Sequence, residues 1–253
     1  MMCTVLWSTY EQKGEMELNP EIDTMFEIGQ DDVCDTEQNE EQALEVQVAE
    51  VPYIGEVLVG GDPFGVAGIL DDNQGDNILN AQGNCGIVSV VNIAKLSGIN
   101  LTENEALVRA VQMHLCSFST SFNDCENGGT NAYLRQQLLS TYGISSFILP
   151  GNALDIDQIA QLTEKGHVVN LSVNAGYLWG DVNNIDDGSA NHSVVVTGTA
   201  RDPTSGCVVG LYICDSGQSG NSAAVFVPTK TLHLAYTASP NSTALVTNAP
   251  VRA

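Results

Sequence analysis

The stretch AQGNCGIVSVVNIAKLSG, residues 81–98, carries a cysteine at the point where a polar, glycine-containing loop passes into an apolar run. The apolar spacing predicts a helix over residues 85–96 that ends before Gly98. Cys85 would then lie in the first turn, where unpaired backbone N–H groups and the positive end of the helix dipole favour thiolate over thiol. This pattern indicates a nucleophile, with a buried structural thiol as the alternative.

The residues around Cys85 suit attack on a carbonyl group. Gly83 and Gly86 leave room for a substrate carbonyl to approach the backbone, so we assign both to substrate binding. The amide of Cys85 can then donate to a developing oxyanion, and Gln82 can add a side-chain donor. The alternative for Gln82 is a loop side chain bonded to the backbone.

A thiolate mechanism also needs an imidazole and a group that orients it. His192 lies where the loop DDGSAN enters the apolar strand HSVVVTGTA, a position typical of a site residue on a rigid scaffold. The sequence around His114 and His167 indicates structural or surface positions for both. The alternating pattern around His233 allows its side chain to lie on either face of a strand. Asp215 ends the apolar run LYICD, and the turn ARDPTSGC predicts a hairpin between this run and the strand of His192. Together these signals favour a triad of cysteine, histidine and aspartate.

Composition excludes several classes of function. The chain has 31 acidic and 8 basic residues, a net charge of −23 and a pI near 4.1, which argues against nucleic acid as a partner. We expect no membrane insertion and no classical signal peptide, because neither apolar pattern is present. The seven cysteines show no zinc-site spacing and there is no nucleotide loop, so we expect no metal and no cofactor. Their odd number leaves at least one free thiol, and a Cys116–Cys125 disulfide stays open.

The predicted organisation has three parts. Residues 1–61 hold 15 acidic residues and one lysine, and we interpret 1–60 as an acidic, mostly flexible leader with one short helix. Residues 61–235 form the catalytic domain, and 236–253 form a loose tail. The leader could contact a basic partner or simply be solvated.

Within the domain, helical patterns come first and strands later. This order predicts an α+β fold in which an N-terminal helical half packs on a C-terminal antiparallel sheet, with the active site in the cleft between them. Besides residues 85–96, the predicted helices are 103–114, 131–142 and 155–165, and the predicted strands are 55–59, 144–149, 167–175, 192–200, 207–215 and 223–228.

Five stretches resemble the papain-like fold cysteine peptidases of bacteria, in particular the C39-like branch and related domains of surface proteins and polymorphic toxins. They are QGNCG (82–86), NGGT (127–130), NLSVNAGYLW (170–179), NHSVVVTG (191–198) and LYICDSG (211–217). The resemblance covers about residues 60–230. It implies a papain-like fold, with Cys85 as nucleophile, His192 as general base and Asp215 as the residue that orients the histidine. The position of the oxyanion glutamine departs from the family pattern. The residue six positions before Cys85 is Leu79, and Gln82 lies only three positions before it.

The resemblance implies a hydrolase that cleaves a peptide or amide bond through a Cys85 thioester, with a protein or peptide as substrate. A peptidase leads. The same triad also serves glutamine deamidation, transglutamination and acyl transfer, and a peptide-binding module without catalysis is a further alternative. Such a protein would be found in the bacterial cytoplasm or be exported without a classical signal.

Two finer expectations follow from the resemblance. C39-type enzymes cut after a double glycine that follows an acidic leader, so VLVGGD (57–62) suggests self-processing near Gly60 and Gly61, with an ordinary turn as the alternative. Trp179 and Tyr177, beside the strand that precedes His192, are assigned to the lining of the substrate cleft, with core packing as the alternative.

Overall fold

The computed structural model describes residues 47–70, 72–217 and 223–251. The acidic segment 1–46, and with it most of the predicted leader, lies outside the described residues. Within the described ranges, no helix is both long enough and apolar enough to span a membrane.

Side-chain caps mark the start of four of the six helices described, and the first and the last of them begin without one. Helix α1 spans Cys85–Leu96, as predicted. Helix α2 spans Glu103–Gln112, and Thr102 and Glu105 form the predicted capping box at its start. The other helices are α3 (Ala132–Ser140), α4 (Ile156–Glu164), α5 (Ala175–Trp179) and α6 (Thr229–Leu232); a 3₁₀ turn follows α5 at Val182–Asn184 and a π turn follows α6 at His233–Thr237. The short helix α5 was not predicted; Asn174 caps it, whereas the sequence pattern placed this segment at the end of a strand.

The strands of the described chain form one antiparallel sheet. They are β1 (Gln47–Val51), β2 (Gly55–Gly61), β3 (Ser146–Pro150), β4 (Val169–Val173), β5 (His192–Arg201), β6 (Val208–Cys214), β7 (Val225–Pro228) and β8 (Thr243–Thr247). Strand β5 is the centre of the sheet, because β4 and β2 pair in succession along one of its edges and β6 pairs along the other. The predicted hairpin between β5 and β6 is confirmed.

Strands β1 and β8, and all but the last residue of β2, lie outside the predicted domain limits of 61 and 235. Strand β1 pairs with β2 inside the stretch interpreted as leader, and β8 lies between β3 and β4 although it falls in the stretch interpreted as a tail. Both runs are short and rich in β-branched or alternating apolar residues, and the acidic and loop-like sequence around them masks that signal. Within the described residues, the sheet therefore extends beyond both predicted limits.

Helices cover both faces of the sheet, whereas the sequence predicted a helical half on one side. One core joins α1, α2 and α3 to the face that carries Val195, and a second core joins α4, α6 and the π turn to the face that carries Val194 and Val196. Strand β5 is buried along almost its whole length for this reason. The α+β class with an antiparallel sheet is confirmed, with an additional helical layer.

The double glycine lies within the sheet. Gly60 and Gly61 pair with Thr199 and Gly198 of β5, and a Cβ at Gly60 would lie 2.5 Å from Thr199 Oγ1. Gly198 is six residues along β5 from His192, a distance of about 20 Å at the rise of a strand. The described conformation therefore holds this peptide bond in the sheet and away from Cys85 of the same chain, and self-processing near Gly60 and Gly61 stays a prediction.

Candidate active site

Cys85 is the first residue of α1 and is only 6% exposed. The residue before it, Asn84, makes no side-chain cap to the helix; instead its Nδ2 donates to Glu103 Oε1 at 2.6 Å and its Oδ1 accepts from the Gly75 amide at 3.1 Å. The positive end of the helix therefore faces the thiol without a capping oxygen, as the sequence predicted.

The loop before Cys85 is fixed by the NGGT stretch. The Gly83 amide donates to the Asn127 carbonyl at 3.0 Å, and the Gln82 amide donates to the Asp124 carbonyl at 2.8 Å. Gly83 and Gly86 are both buried. A Cβ at Gly86 would lie 2.0 Å from Thr130 Oγ1, so this glycine is needed for close packing toward the protein interior. Gly86 therefore has a packing role, and the assignment of Gly83 and Gly86 to substrate binding stays a prediction.

His192 and Asp215 lie together at one end of the sheet. His192 begins β5, Asp215 follows β6, and His192 Nε2 lies 2.7 Å from Asp215 Oδ1. Both side chains are buried, at 5% and 0% exposure. An ionised carboxylate only accepts hydrogen bonds, so Nε2 carries a proton and Nδ1 remains for the thiol. The Cys85 thiol is close enough to His192 to contribute to the raised pKa of the imidazole, and the structure thus brings the three predicted residues together.

The electrostatics favour a charged pair. Burial raises the pKa of the Cys85 thiol, but the hydrogen bond and charge of His192, together with the charge of Arg135, bring its pKa below the ordinary thiol value. Burial lowers the pKa of His192, but the Asp215 carboxylate and the bond to Cys85 outweigh it, and the net pKa is raised. Both directions favour thiolate and imidazolium over the neutral pair.

The Asp215 carboxylate is held by three donors. Besides His192, the Trp179 indole Nε1 donates to Oδ2 at 2.7 Å and the Gly217 amide donates to Oδ1 at 2.9 Å. Burial raises the pKa of Asp215, but the charge of His192 and these hydrogen bonds bring it below its usual range. Asp215 therefore stays ionised next to the imidazole.

The two aromatic residues predicted to line the cleft have different positions. The Trp179 ring lies 5.0 Å from the His192 ring, centroid to centroid, and so covers the His192–Asp215 pair. Tyr177 is half-buried and packs against the core on the α4 side of the sheet. The structure places Trp179 at the site, whereas Tyr177 packs in the core. Core packing was the alternative that the sequence analysis gave for both residues.

Gln82 lies on the surface beside Cys125. Its side chain is exposed, and its Oε1 is 4.0 Å from Cys125 Sγ. The sequence analysis did not identify a second glutamine, Gln74. Its side-chain Nε2 donates to the Gln82 carbonyl at 2.9 Å, and its backbone N–H donates to the Ser216 carbonyl at 3.0 Å. Gln74 therefore ties the loop before Cys85 to the loop after Asp215. Cys116 carries a free thiol, so it forms no disulfide with Cys125.

Two buried charged residues near Cys85 were also missed. Glu103 Oε1 accepts from Asn84, from Asn77 Nδ2 at 2.9 Å and from the Gly75 amide at 3.2 Å, which fixes the loop leading to the nucleophile. Arg135, on α3, is 1% exposed beside Gly86. Its position on the buried side of α3, in line with Leu138 and Leu139, was a weak signal in the sequence, whereas Glu103 gave none beyond its place in the first turn of α2.

Comparisons with known proteins give structural similarity without sequence similarity. No protein-family model and no curated protein matches the chain. One similar solved structure is described as a C39-like peptidase from Bacillus anthracis, with a TM-score of 0.47 and 17% identity over 72% of this chain and 96% of that one. Another is a double glycine motif protease from an AMS/PCAT transporter in complex with the leader peptide, with a TM-score of 0.40 and 15% identity over 65% of this chain and 84% of that one. Because both TM-scores are below 0.5, the chemistry of this chain has to be argued from its own residues.

Proposed function

We propose that this chain is a cysteine peptidase with Cys85 as nucleophile, His192 as general acid and base, and Asp215 as the residue that orients the imidazole. The observation that carries the proposal is the buried relay from Cys85 through His192 to Asp215, at an uncapped helix N-terminus. A structural thiol has no need of a neighbouring imidazole held by a carboxylate.

The geometry supports a two-step reaction. The Cys85 thiolate attacks a peptide carbonyl carbon, and the C–S bond forms as the carbonyl π electrons move to oxygen. The tetrahedral intermediate collapses, the C–N bond breaks, and His192 gives its proton to the leaving amine. Water then loses a proton to His192 and attacks the thioester, which releases the carboxylic acid and restores the thiolate and imidazolium.

The oxyanion contacts belong to the proposal as well. The Cys85 amide lies in the first turn of α1, where its N–H has no partner within the helix and can donate to the carbonyl oxygen. Gln82 is the proposed side-chain donor. Gln82→Ala and Gln74→Ala test this assignment as a pair: loss of kcat with Gln82→Ala alone supports it, and loss with Gln74→Ala alone moves the role to Gln74.

The site is narrow. Cys85 and His192 are only 6% and 5% exposed, and the Trp179 ring lies against His192. A polypeptide in extended conformation fits such an opening better than a folded chain does, so we propose an unstructured peptide segment as substrate.

The test is an alkylation and cleavage experiment on the full chain. Iodoacetamide is applied briefly between pH 5 and pH 9, and the modified residue is identified by mass spectrometry of peptides. We expect Cys85 to react faster than the exposed Cys207, and His192→Ala to slow Cys85 alone. Cys85→Ala should abolish cleavage of a mixed peptide library.

Two results would overturn or redirect the proposal. If Cys85 reacts no faster than Cys207, the thiolate does not exist and the site is not catalytic. If Cys85 is reactive and glutamine side chains in the library become glutamate while the chains stay intact, the enzyme is a deamidase acting through the same thioester.

A further inference from the structure

We propose that Arg135 is a positioning residue of this site: its buried guanidinium serves, together with His192, as a counter-charge of the Cys85 thiolate. The inference rests on the proposed function of Cys85 and adds a residue that neither the motifs nor the order of the triad indicates.

The position of Arg135 is set by its packing behind the nucleophile. Its Nη1 and Cδ lie 3.2 Å and 3.0 Å from the point that a Cβ of Gly86 would occupy, and Gly86 follows Cys85 in α1. Its Nη2 donates to Ser172 Oγ at 2.6 Å, and Ser172 pairs with Ser193 next to His192. The guanidinium is therefore enclosed by the helix that carries the thiol and the strands beside the imidazole.

The guanidinium has no carboxylate partner among the described residues. Ser172 Oγ accepts a hydrogen bond from Arg135 Nη2, whereas Arg135 Nε and the nearby Thr130 Oγ1 have no hydrogen-bond partner. An isolated buried charge is costly unless an opposite charge compensates it. Burial lowers the pKa of Arg135 to about 10, and the charge of Cys85 acts in the opposite direction. A thiolate at Cys85 supplies the missing compensation.

The charged groups around the thiol are unequal in sign. His192 faces it from β5 and Arg135 from α3; Asp215 lies behind His192, and Glu103 of α2 is bonded to Asn84 rather than to the thiol. Two cations thus act directly on Cys85, in line with its lowered pKa. When His192 gives its proton to the leaving amine it becomes neutral, whereas Arg135 keeps its charge through the whole cycle.

The experiment measures the pH midpoint of Cys85 alkylation by iodoacetamide in four full-length variants. Arg135→Met and Arg135→Gln remove the charge, Arg135→Lys keeps it, and Arg109→Met removes an exposed arginine of α2 that lies over the Tyr142 ring. Removal of an opposite charge near a thiolate raises its pKa by about 1–3 units. We expect Arg135→Met and Arg135→Gln to raise the midpoint by at least about one unit and to slow alkylation about tenfold below it.

The control variants separate electrostatics from packing. Arg135→Lys should keep the midpoint near that of the wild-type chain, and Arg109→Met should leave it unchanged. Arg135→Gln keeps a donor for Ser172, so it decides the question if Arg135→Met does not fold. An unshifted midpoint in the folded charge-removing variant would overturn the inference and leave Arg135 a structural residue. If wild-type Cys85 itself reacts like Cys207, the proposed function fails instead, which is a distinct outcome.

Discussion

The bond between Asp215 and His192 gives the sharpest prediction, because Asp215→Asn keeps the size of the side chain and removes its charge. Three donors converge on the carboxylate: His192 and Gly217 on Oδ1, and Trp179 on Oδ2. An asparagine has one oxygen, so its NH₂ group must face at least one of these N–H groups. The substitution therefore removes both the counter-charge of the imidazolium and one satisfied hydrogen bond.

The magnitude follows from these two losses. An opposite charge in contact shifts a pKa by about 1–3 units, which corresponds to about 1.4–4 kcal/mol of preference for the imidazolium. One buried donor left unsatisfied costs a further 1–3 kcal/mol or so of folding stability. We expect the pKa of His192 to fall by at least about one unit in Asp215→Asn, and peptide cleavage to fall with it.

The pH dependence of stability has a defined sign. The pKa of His192 is raised in the folded chain, so its contribution is present below the ordinary histidine pKa of about 6.5 and is lost as the pH rises through the raised value. The pKa of Asp215 is lowered, so its contribution is present above about pH 4 and is lost as the pH falls through the lowered value. The stability difference between wild type and variant should be largest between these two limits.

The assay is a titration of the imidazole ¹⁵N signals by NMR, which is tractable because the chain has four histidines. His192→Gln identifies the signal, and urea unfolding at several pH values gives the free energy. An unchanged His192 titration in a folded Asp215→Asn protein would refute the view that Asp215 charges and orients the imidazole.

Three further predictions come from neighbouring contacts. Trp179→Phe keeps a ring against His192 but removes the donor to Asp215. Because this hydrogen bond lowers the pKa of Asp215, we expect that pKa to rise in an NMR titration and kcat to fall with little change in KM. An unchanged Asp215 pKa and kcat would contradict a role in orienting the carboxylate. Gly86→Ala places a Cβ against Thr130 Oγ1, and we expect it to lower the free energy of unfolding in urea by about 1–3 kcal/mol. Adding Thr130→Ala should recover part of this loss. Strictly additive effects of the two substitutions would argue against the clash. Burial raises the pKa of Glu103, so the wild type loses stability as the pH rises from about 4 through that raised value. Glu103→Gln should therefore melt at a higher temperature than the wild type at pH 7 and at the same temperature at pH 3. The same difference in melting temperature at both pH values would show that ionisation of Glu103 is not the cause.

The sequence was sufficient where the signal is local. The helix of Cys85 and the capping box of α2 were predicted because apolar spacing and caps act over a few residues. The meeting of His192 with Asp215 was predicted because one hairpin turn sets the register of their strands. The catalytic roles of these residues remain predictions for the experiments above.

The sequence was insufficient where a residue's role depends on a distant segment. Arg135 and Gly86 meet only because α3 packs on the start of α1. Tyr177 packs in the core on the α4 side because Asn174 begins a short helix directly after the predicted strand 167–175. The short apolar run of β8 is surrounded by loop-like sequence that hides its strand signal, and its partners in β3 are about a hundred residues away. Such contacts have no counterpart in a local pattern.

The place of β8 between β3 and β4 has a consequence for how the protein folds. Its pairs join Thr247 to Ser146 and Val246 to Val169, so the sheet closes through contacts between residues far apart in the chain. Folding rates fall as such separations grow, and until β8 inserts, both β3 and β4 present open edges to other chains. Removing residues 236–253 to obtain a smaller protein would therefore delete an inner strand of the sheet, and we expect the product to aggregate. A chain kept through residue 247 retains β8 between β3 and β4.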